Sequence, residues 1–451
     1  MASIVKRNGK FNVVYYATDK KGQRKQRWEK FDTQAEAKQR KAELEYELSS
    51  NSFFVPTVKT MAEFLEEYVN VYGKNKWSLS TYESKKSIIT HYIVPSLGAV
   101  KLSDITPRMM NSYYQNLLTY KATPKPFQKK VGLITPRTVQ EIHKLLRNAF
   151  NIAVKWELLP RNPVEHCVLP KCADHQREIW DTETLITALE VCEDPLLALG
   201  MNLAFSCSLR MGELLGLTWD CVEISEDKIN ADKAFIFINK ELQRVSRKTI
   251  EELDGADIIM KFPATHSTNT TILVLKPPKT ATSVRKIFLP RTVALMLLER
   301  KKEIDTAKDL LGSEYIDYNL VMCSNEGKPI EGSRLNTALD KLIEEHHLPR
   351  VVFHSLRHTS TTYKLKLSGG DIKAVQGDTG HAQATMVTER YAHIMDDDRR
   401  QNARRLEQAF YGRQGDSADG SHGESETERL VRLLDQSPEL MAVLKAMAAK
   451  I

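Results

Sequence analysis

The stretch FHSLRH, Phe353 to His358, puts two imidazoles four positions apart with a guanidinium between them. On one helix face such a pair can hold zinc, but zinc needs a third ligand and usually a carboxylate base between the histidines. Here Ser355, Leu356 and Arg357 stand between them, and a guanidinium repels a dication. An anion suits the group better, because arginine forks onto two phosphate oxygens. Such an anion calls for further cations. SLRMGEL supplies Arg210, at the start of a short helix ending near Gly216 and framed by Leu209, Met211, Leu214 and Leu215. Glu213, three residues on, can hold that guanidinium in place; a plain structural ion pair is the alternative. KPPKT places Lys279 at an expected hairpin turn, where a flexible ammonium can reach inward. TGHAQATMVTERYAH then carries Gly380 and His381 after a turn, and Tyr391 after a helix-like run. A lone tyrosine ordinarily packs or makes a hydrogen bond; beside two arginines, a lysine and three histidines it becomes a candidate for chemistry. A second metal reading, at His166, Cys167, Cys172 and His175, fits poorly, since CxxxxC is longer than a zinc knuckle and no second ligand pair follows. The expectation is no metal and no cofactor.

Taken in order, Arg210, Lys279, the HSLRH of His354, Arg357 and His358, Gly380 with His381, and Tyr391 resemble the tyrosine recombinases, the phage integrase family. Each motif alone is modest, while the set is specific, and it covers residues 175–411. The resemblance implies that Tyr391 is the nucleophile and that Arg210 and Arg357 clamp the scissile phosphate. Lys279 is then the general acid for the leaving 5′-hydroxyl, and His354 and His381 steady the phosphate or handle protons. Glu213 and His358 take supporting roles. The chemistry is coherent in itself: a phenol with pKa of roughly 10 is a weak nucleophile at neutral pH, and a phosphodiester repels attack, so cations must offset its charge. The resemblance further implies double-stranded DNA attachment sites of core and arm type, a homotetramer on DNA, and an excisionase or DNA-bending accessory protein. It implies a cytoplasmic, nucleoid-associated setting in a bacterium and an origin in a prophage or conjugative transposon. The rivals are a type IB topoisomerase-like enzyme and a non-catalytic architectural DNA-binding protein.

The elements that must position these groups follow from composition and periodicity. A chain of 451 residues with net charge +7 is long enough for several domains. Its opening, MASIVKRNGK, has no apolar run, so no secretory leader is expected, and no stretch reaches the roughly 18 apolar residues that span a bilayer. The six cysteines form no CxxC pair and read as reduced, buried thiols. Four parts are expected. Residues 1–55 form a small β-sheet plus one helix. FNVVYYA and QRWEKF are its strands, and a Thr33–Glu36 capping box opens the helix. Lys20, Lys21, Arg24, Lys25 and Arg27, interleaved with Tyr15, Tyr16 and Trp28, suit a DNA groove, a solubilising face being the alternative. Residues 58–165 form an all-α domain with Lys85, Lys86 and Arg137 as basic candidates. By resemblance these are the arm-type and core-DNA-binding domains. Residues 175–411 form a mainly α catalytic domain with a small antiparallel sheet. Its strands are FIFINKEL (235–242) and a hairpin within 271–290 turning at Thr280 to Ser283, with 246–270 as an insertion. Residues 412–451 form a Gly/Ser-rich tail ending in a short helix with Ser437 as N-cap; its stripe of Leu440, Val443, Leu444 and Met447 calls for a partner surface.

Overall fold

A computed structural model describes residues 2–7, 9–18, 24–49, 59–124, 131–172, 178–264, 266, 268–369, 371–380, 403–404 and 407. Lys20, Lys21, His175, His381, Tyr391 and the tail fall outside the described residues. The chain divides into two units, 1–363 with 377–380, and 364–376 with 381–451. In the second, the described Leu365, Ile372 and Val375 pack together.

In the first unit, the N-terminal alternation builds an antiparallel sheet of three strands, β1 (Ser3–Arg7), β2 (Lys10–Thr18) and β3 (Arg24–Phe31), in that order. The first strand is an addition to the two expected. Its signal is Gly9, whose φ of +75° permits the tight turn that pairs Arg7 with Lys10. Helix α1 (Gln34–Ser49) starts at the expected box: Thr33 Oγ1 accepts from the Glu36 amide, and Glu36 accepts from the Thr33 amide. Val13 and Tyr15 of β2 face Ala37 and Leu44 of this helix, whereas Tyr16 and Trp28 remain exposed.

Next come α2 (Met61–Tyr68), α3 (Leu79–Ile88), α4 (Pro107–Leu117) and α5 (Pro136–Lys155). Thr60, Thr106 and Thr135 each cap their helix through the side chain, and proline occupies the first turn of the last two. The apolar stripes of these helices meet in one core containing Phe64, Tyr68, Tyr114, Leu145 and Phe150.

Helices α6 (Thr182–Glu190), α7 (Pro195–Ser206) and α8 (Met211–Leu215) lead into two small sheets. One is β4 (Val222–Glu223), β5 (Phe235–Ile238) and β9 (Arg285–Phe288), ordered β4-β5-β9. The other is β6 (Glu241–Ser246), β7 (Met260–Lys261) and β8 (Thr271–Lys276), ordered β6-β8-β7. This corrects two expectations. Residues 235–242 are not one strand: Lys240 leaves the ladder, its ammonium taken by Thr218 Oγ1 and Asp220 Oδ2 at 2.7 Å each. Nor do Thr271–Lys276 and Arg285–Phe288 form a hairpin, since β8 pairs with β6 and β9 with β5. Pro277 and Pro278 offer no ladder donors, so β8 stops there and the chain crosses to the other sheet.

The expected insertion is structured. Helix α9 (Arg247–Glu252), capped by Ser246, and strand β7 extend the second sheet. Ile250 and Leu253, with Val245 and Val274, join the core of the helical region, and Glu252 accepts from Lys86 Nζ of α3 at 2.6 Å through both oxygens. Helices α10 (Arg291–Leu311), α11 (Gly332–Glu345), α12 (Phe353–Leu367) and α13 (Ile372–Thr379) complete the described chain. A separate core gathers Trp180, Leu203, Leu335, Phe353 and Leu356. The architecture is helix-rich with small antiparallel sheets, and among the described residues no helix is long and apolar enough to cross a membrane.

Candidate active site

Arg210 is the N-cap of α8, and Glu213 stands at its third position. The Glu213 carboxylate, 1% exposed, accepts from the Arg210 amide at 3.1 Å and from Arg210 Nη1 at 2.6 Å. It also accepts from Arg285 Nη2 at 3.1 Å. Burial alone would raise the carboxyl pKa; the charges of Arg285 and Arg210, and their hydrogen bonds, outweigh it and hold Glu213 ionised below its usual range.

Arg285 was not anticipated as a site residue. Its Nε donates to the Asp378 carbonyl at 3.0 Å and its Nη1 to the Ser283 carbonyl at 2.9 Å, so one buried guanidinium ties α8, the 277–284 crossing and the end of α13. A signal existed. In SVRKIF the inward position of Ile287 makes Arg285 inward as well, two residues apart on one strand face.

Arg357 lies on α12, 2% exposed, and donates to the Ser208 carbonyl and to the Thr379 carbonyl, the latter at 2.5 Å. Ser208 holds a left-handed φ of +52°, and its hydroxyl meets Ser360 Oγ of α12 at 2.5 Å. Arg210 Nη2 donates to the Gly380 carbonyl at 3.2 Å. The two arginines therefore converge on adjacent carbonyls directly before His381. Gly380 has φ +62°, and a Cβ there would sit 3.0 Å from Arg285 Nη1, so the close approach requires glycine.

Lys279 is exposed in the bend that follows the two prolines. Its loop is fastened by Thr280 Oγ1 to Ser283 Oγ at 2.9 Å, and Ser283 Oγ accepts from Arg210 Nη1 at 3.3 Å. His354 is exposed and His358 half-buried, their rings nearly perpendicular with centroids 4.8 Å apart. The structure thus brings together Arg210, Glu213, Arg357 and the Lys279 loop. His381 and Tyr391 lie outside the described residues. Among the described residues no group of three His, Cys, Asp or Glu side chains is placed to hold a metal ion.

The basic candidates divide. Arg27 projects from β3 into solvent, and Arg24 and Lys25 lie on the same strand. Lys85 is half-buried; burial pushes its ammonium below the usual range, with Glu141 opposing and Lys144 and Lys279 adding to the shift. Lys86 is engaged by Glu252, and Arg137 is exposed, 3.8 Å from Glu141.

The pattern of known proteins agrees with this architecture. The profile of the phage integrase N-terminal SAM-like domain matches residues 60–118, and that of the phage integrase family matches 265–398. A tyrosine recombinase XerC-like protein of Caldanaerobacter subterraneus subsp. tengcongensis is 24% identical over 328 residues, 70% of this chain and 74% of that protein. The ICEBs1 integrase of Bacillus subtilis is 22% identical over 72% of this chain and 77% of its own length. A fragment of the Tn1549 transposon integrase (its residues 82–397), solved in complex with a circular intermediate DNA, superposes with a TM-score of 0.57 at 17% identity, covering 77% of this chain and 100% of that fragment. Two domain types in one order, with relatives matched along most of their length, define a DNA strand-exchange class. This chain belongs to the phage integrase family of tyrosine recombinases.

Proposed function

We propose that this recombinase cuts and rejoins double-stranded DNA at attachment sites of a mobile element, through a 3′-phosphotyrosyl intermediate and a Holliday junction. The Tyr391 phenol gives up its proton to His354 or His381, its oxygen attacks the scissile phosphorus, the bond to O5′ breaks, and the Lys279 ammonium gives O5′ its proton. Arg210 and Arg357 offset the charge that builds on the non-bridging oxygens, and His354 and His381 steady the phosphate or pass protons. The phosphotyrosine conserves the ester, so the 5′-hydroxyl of another strand can attack it and reverse the step without ATP. Support comes above all from one observation: Arg210 and Arg357, from distant parts of the chain, both reach carbonyls at 379–380, with Glu213 fixing the first.

The exposed Tyr16 and Trp28 share one face of the N-terminal sheet and support an arm-type DNA contact there, Arg27 lying on the opposite face across from Tyr15, and the helical region supplies the core-site contact. Two duplexes with two cuts each call for four protomers, assembled in the bacterial cytoplasm on nucleoid DNA, with a bending or excision factor as accessory. The likeness to a transposon integrase supports the mobile-element origin. The test is a nicked suicide substrate built from the ends of the element that encodes the chain. Wild type should give a slow-migrating covalent complex on a denaturing gel, in the presence of EDTA, and Tyr391→Phe should bind DNA but give none. DNA binding with no adduct in wild type would instead point to an architectural protein.

A further inference from the structure

Outside the residues assigned above, one buried ion pair stands where it can control the geometry of the site. Lys276 ends β8 and Glu241 begins β6; they are register partners, and their side chains meet at 2.7 Å. The Lys276 side chain is 5% exposed and that of Glu241 20%. A buried ion pair is poor evidence for stability, because its desolvation cost cancels much of its attraction. Its position says more. Pro277, Pro278 and Lys279 follow Lys276 directly, and Lys276 Nζ also donates to the Pro277 carbonyl at 3.4 Å. Two prolines with φ fixed near −65° leave little slack, so the place of Lys276 is passed on to Lys279. On the other side, α8 and the Gly216 that caps it rest on Glu241 and Leu242 at the start of β6. A Cβ at Gly216 would lie 2.7 Å from the Glu241 carbonyl carbon, and one at Gly212 would lie 3.5 Å from Glu241 Cβ. That helix begins at Arg210. Glu241 therefore joins the strand that delivers Lys279 to the helix that delivers Arg210.

We propose that the Glu241–Lys276 pair is a positioning device that sets the Lys279 ammonium relative to the Arg210-bound phosphate. The inference rests on the recombinase reading above. It predicts a selective defect: loss of the pair impairs protonation of the leaving O5′ while the arginine clamp survives. A substrate with sulfur in place of the bridging O5′ separates the two, because a thiolate leaves without a proton. Full-length Glu241→Gln and Lys276→Met are compared with wild type on both substrates, with adduct formation, DNA affinity and thermal melting as readouts. Both variants should form adduct on the order of 100-fold more slowly on the ordinary phosphodiester. On the sulfur substrate they should match wild type, with DNA affinity retained. Equal slowing on both substrates, or slowing on neither, overturns the proposal. Where a single variant fails to fold, the charge-swapped Glu241→Lys, Lys276→Glu double variant decides. Restored cleavage of the phosphodiester supports the pair, and a folded double variant equally slow on both substrates refutes it. A wild type that forms no adduct on either substrate would sink the recombinase reading itself, and with it this inference.

Discussion

Arg210 and Arg357 differ in their supports, and the difference bears on what each substitution does. Arg210 is partly open and steered by Glu213, while Arg357 is enclosed and held against two carbonyls. Arg210→Ala should cut adduct formation by about 100- to 1,000-fold, the usual cost of removing one donor from a preorganised charge site, with DNA affinity changed far less. Equal losses in single-turnover cleavage and in binding would make it an ordinary DNA contact. Glu213 answers to pH. Its folded pKa lies below the unfolded value of roughly 4.3, so its stabilisation is fully present above that pH and is lost as pH falls through the folded pKa. Glu213→Gln should be less stable than wild type at neutral pH, and the gap should narrow below about pH 4 in thermal melts taken from pH 3 to 7. At this scale the Arg210–Glu213 ion pair was legible in the sequence, because its spacing and apolar frame are local. Arg285 escaped because its partners, Glu213 and Asp378, are brought to it only by the fold.

Elements read from periodicity came through where the signal was local and long. Helix α1 starts at the Thr33–Glu36 capping box that its spacing announces. Strand pairing did not, because two β-rich runs separated by a short loop imitate a hairpin whichever sheet each joins. The proline pair between Lys276 and Lys279 was the clue that they part. The seat of α8 on β6 likewise has no sequence signature beyond two glycines. Gly216 is the tighter: a Cβ there would lie 2.6 Å from the Leu242 amide nitrogen, which is backbone and cannot swing away. Gly216→Ala should lower stability by about 1–3 kcal/mol in denaturant titration, the cost of overpacking. A neutral result would mean that the helix slides freely on its strand.

At the scale of the molecule, the 246–270 segment turns from an unexplained insertion into a strap. Ile250 and Leu253 reach into the apolar core of the helical region, and Glu252 closes the contact on Lys86. Truncating Ile250 to alanine should cost about 2–5 kcal/mol and hasten proteolysis between the helical and catalytic regions. An unchanged digestion pattern would show the strap to be an ornament of the second sheet. The same contact alters what can be expected of Lys86 on DNA, since its charge is already answered by a carboxylate; Lys85, which has no such close partner among the described residues, should matter more in a salt-dependent binding titration. A shared apolar core also governs how the chain comes apart. Regions that own separate cores can melt one after the other, giving two heat-absorption peaks. Here the strap makes the helical core incomplete without residues from the catalytic segment, so the two regions should unfold in a single cooperative event in calorimetry.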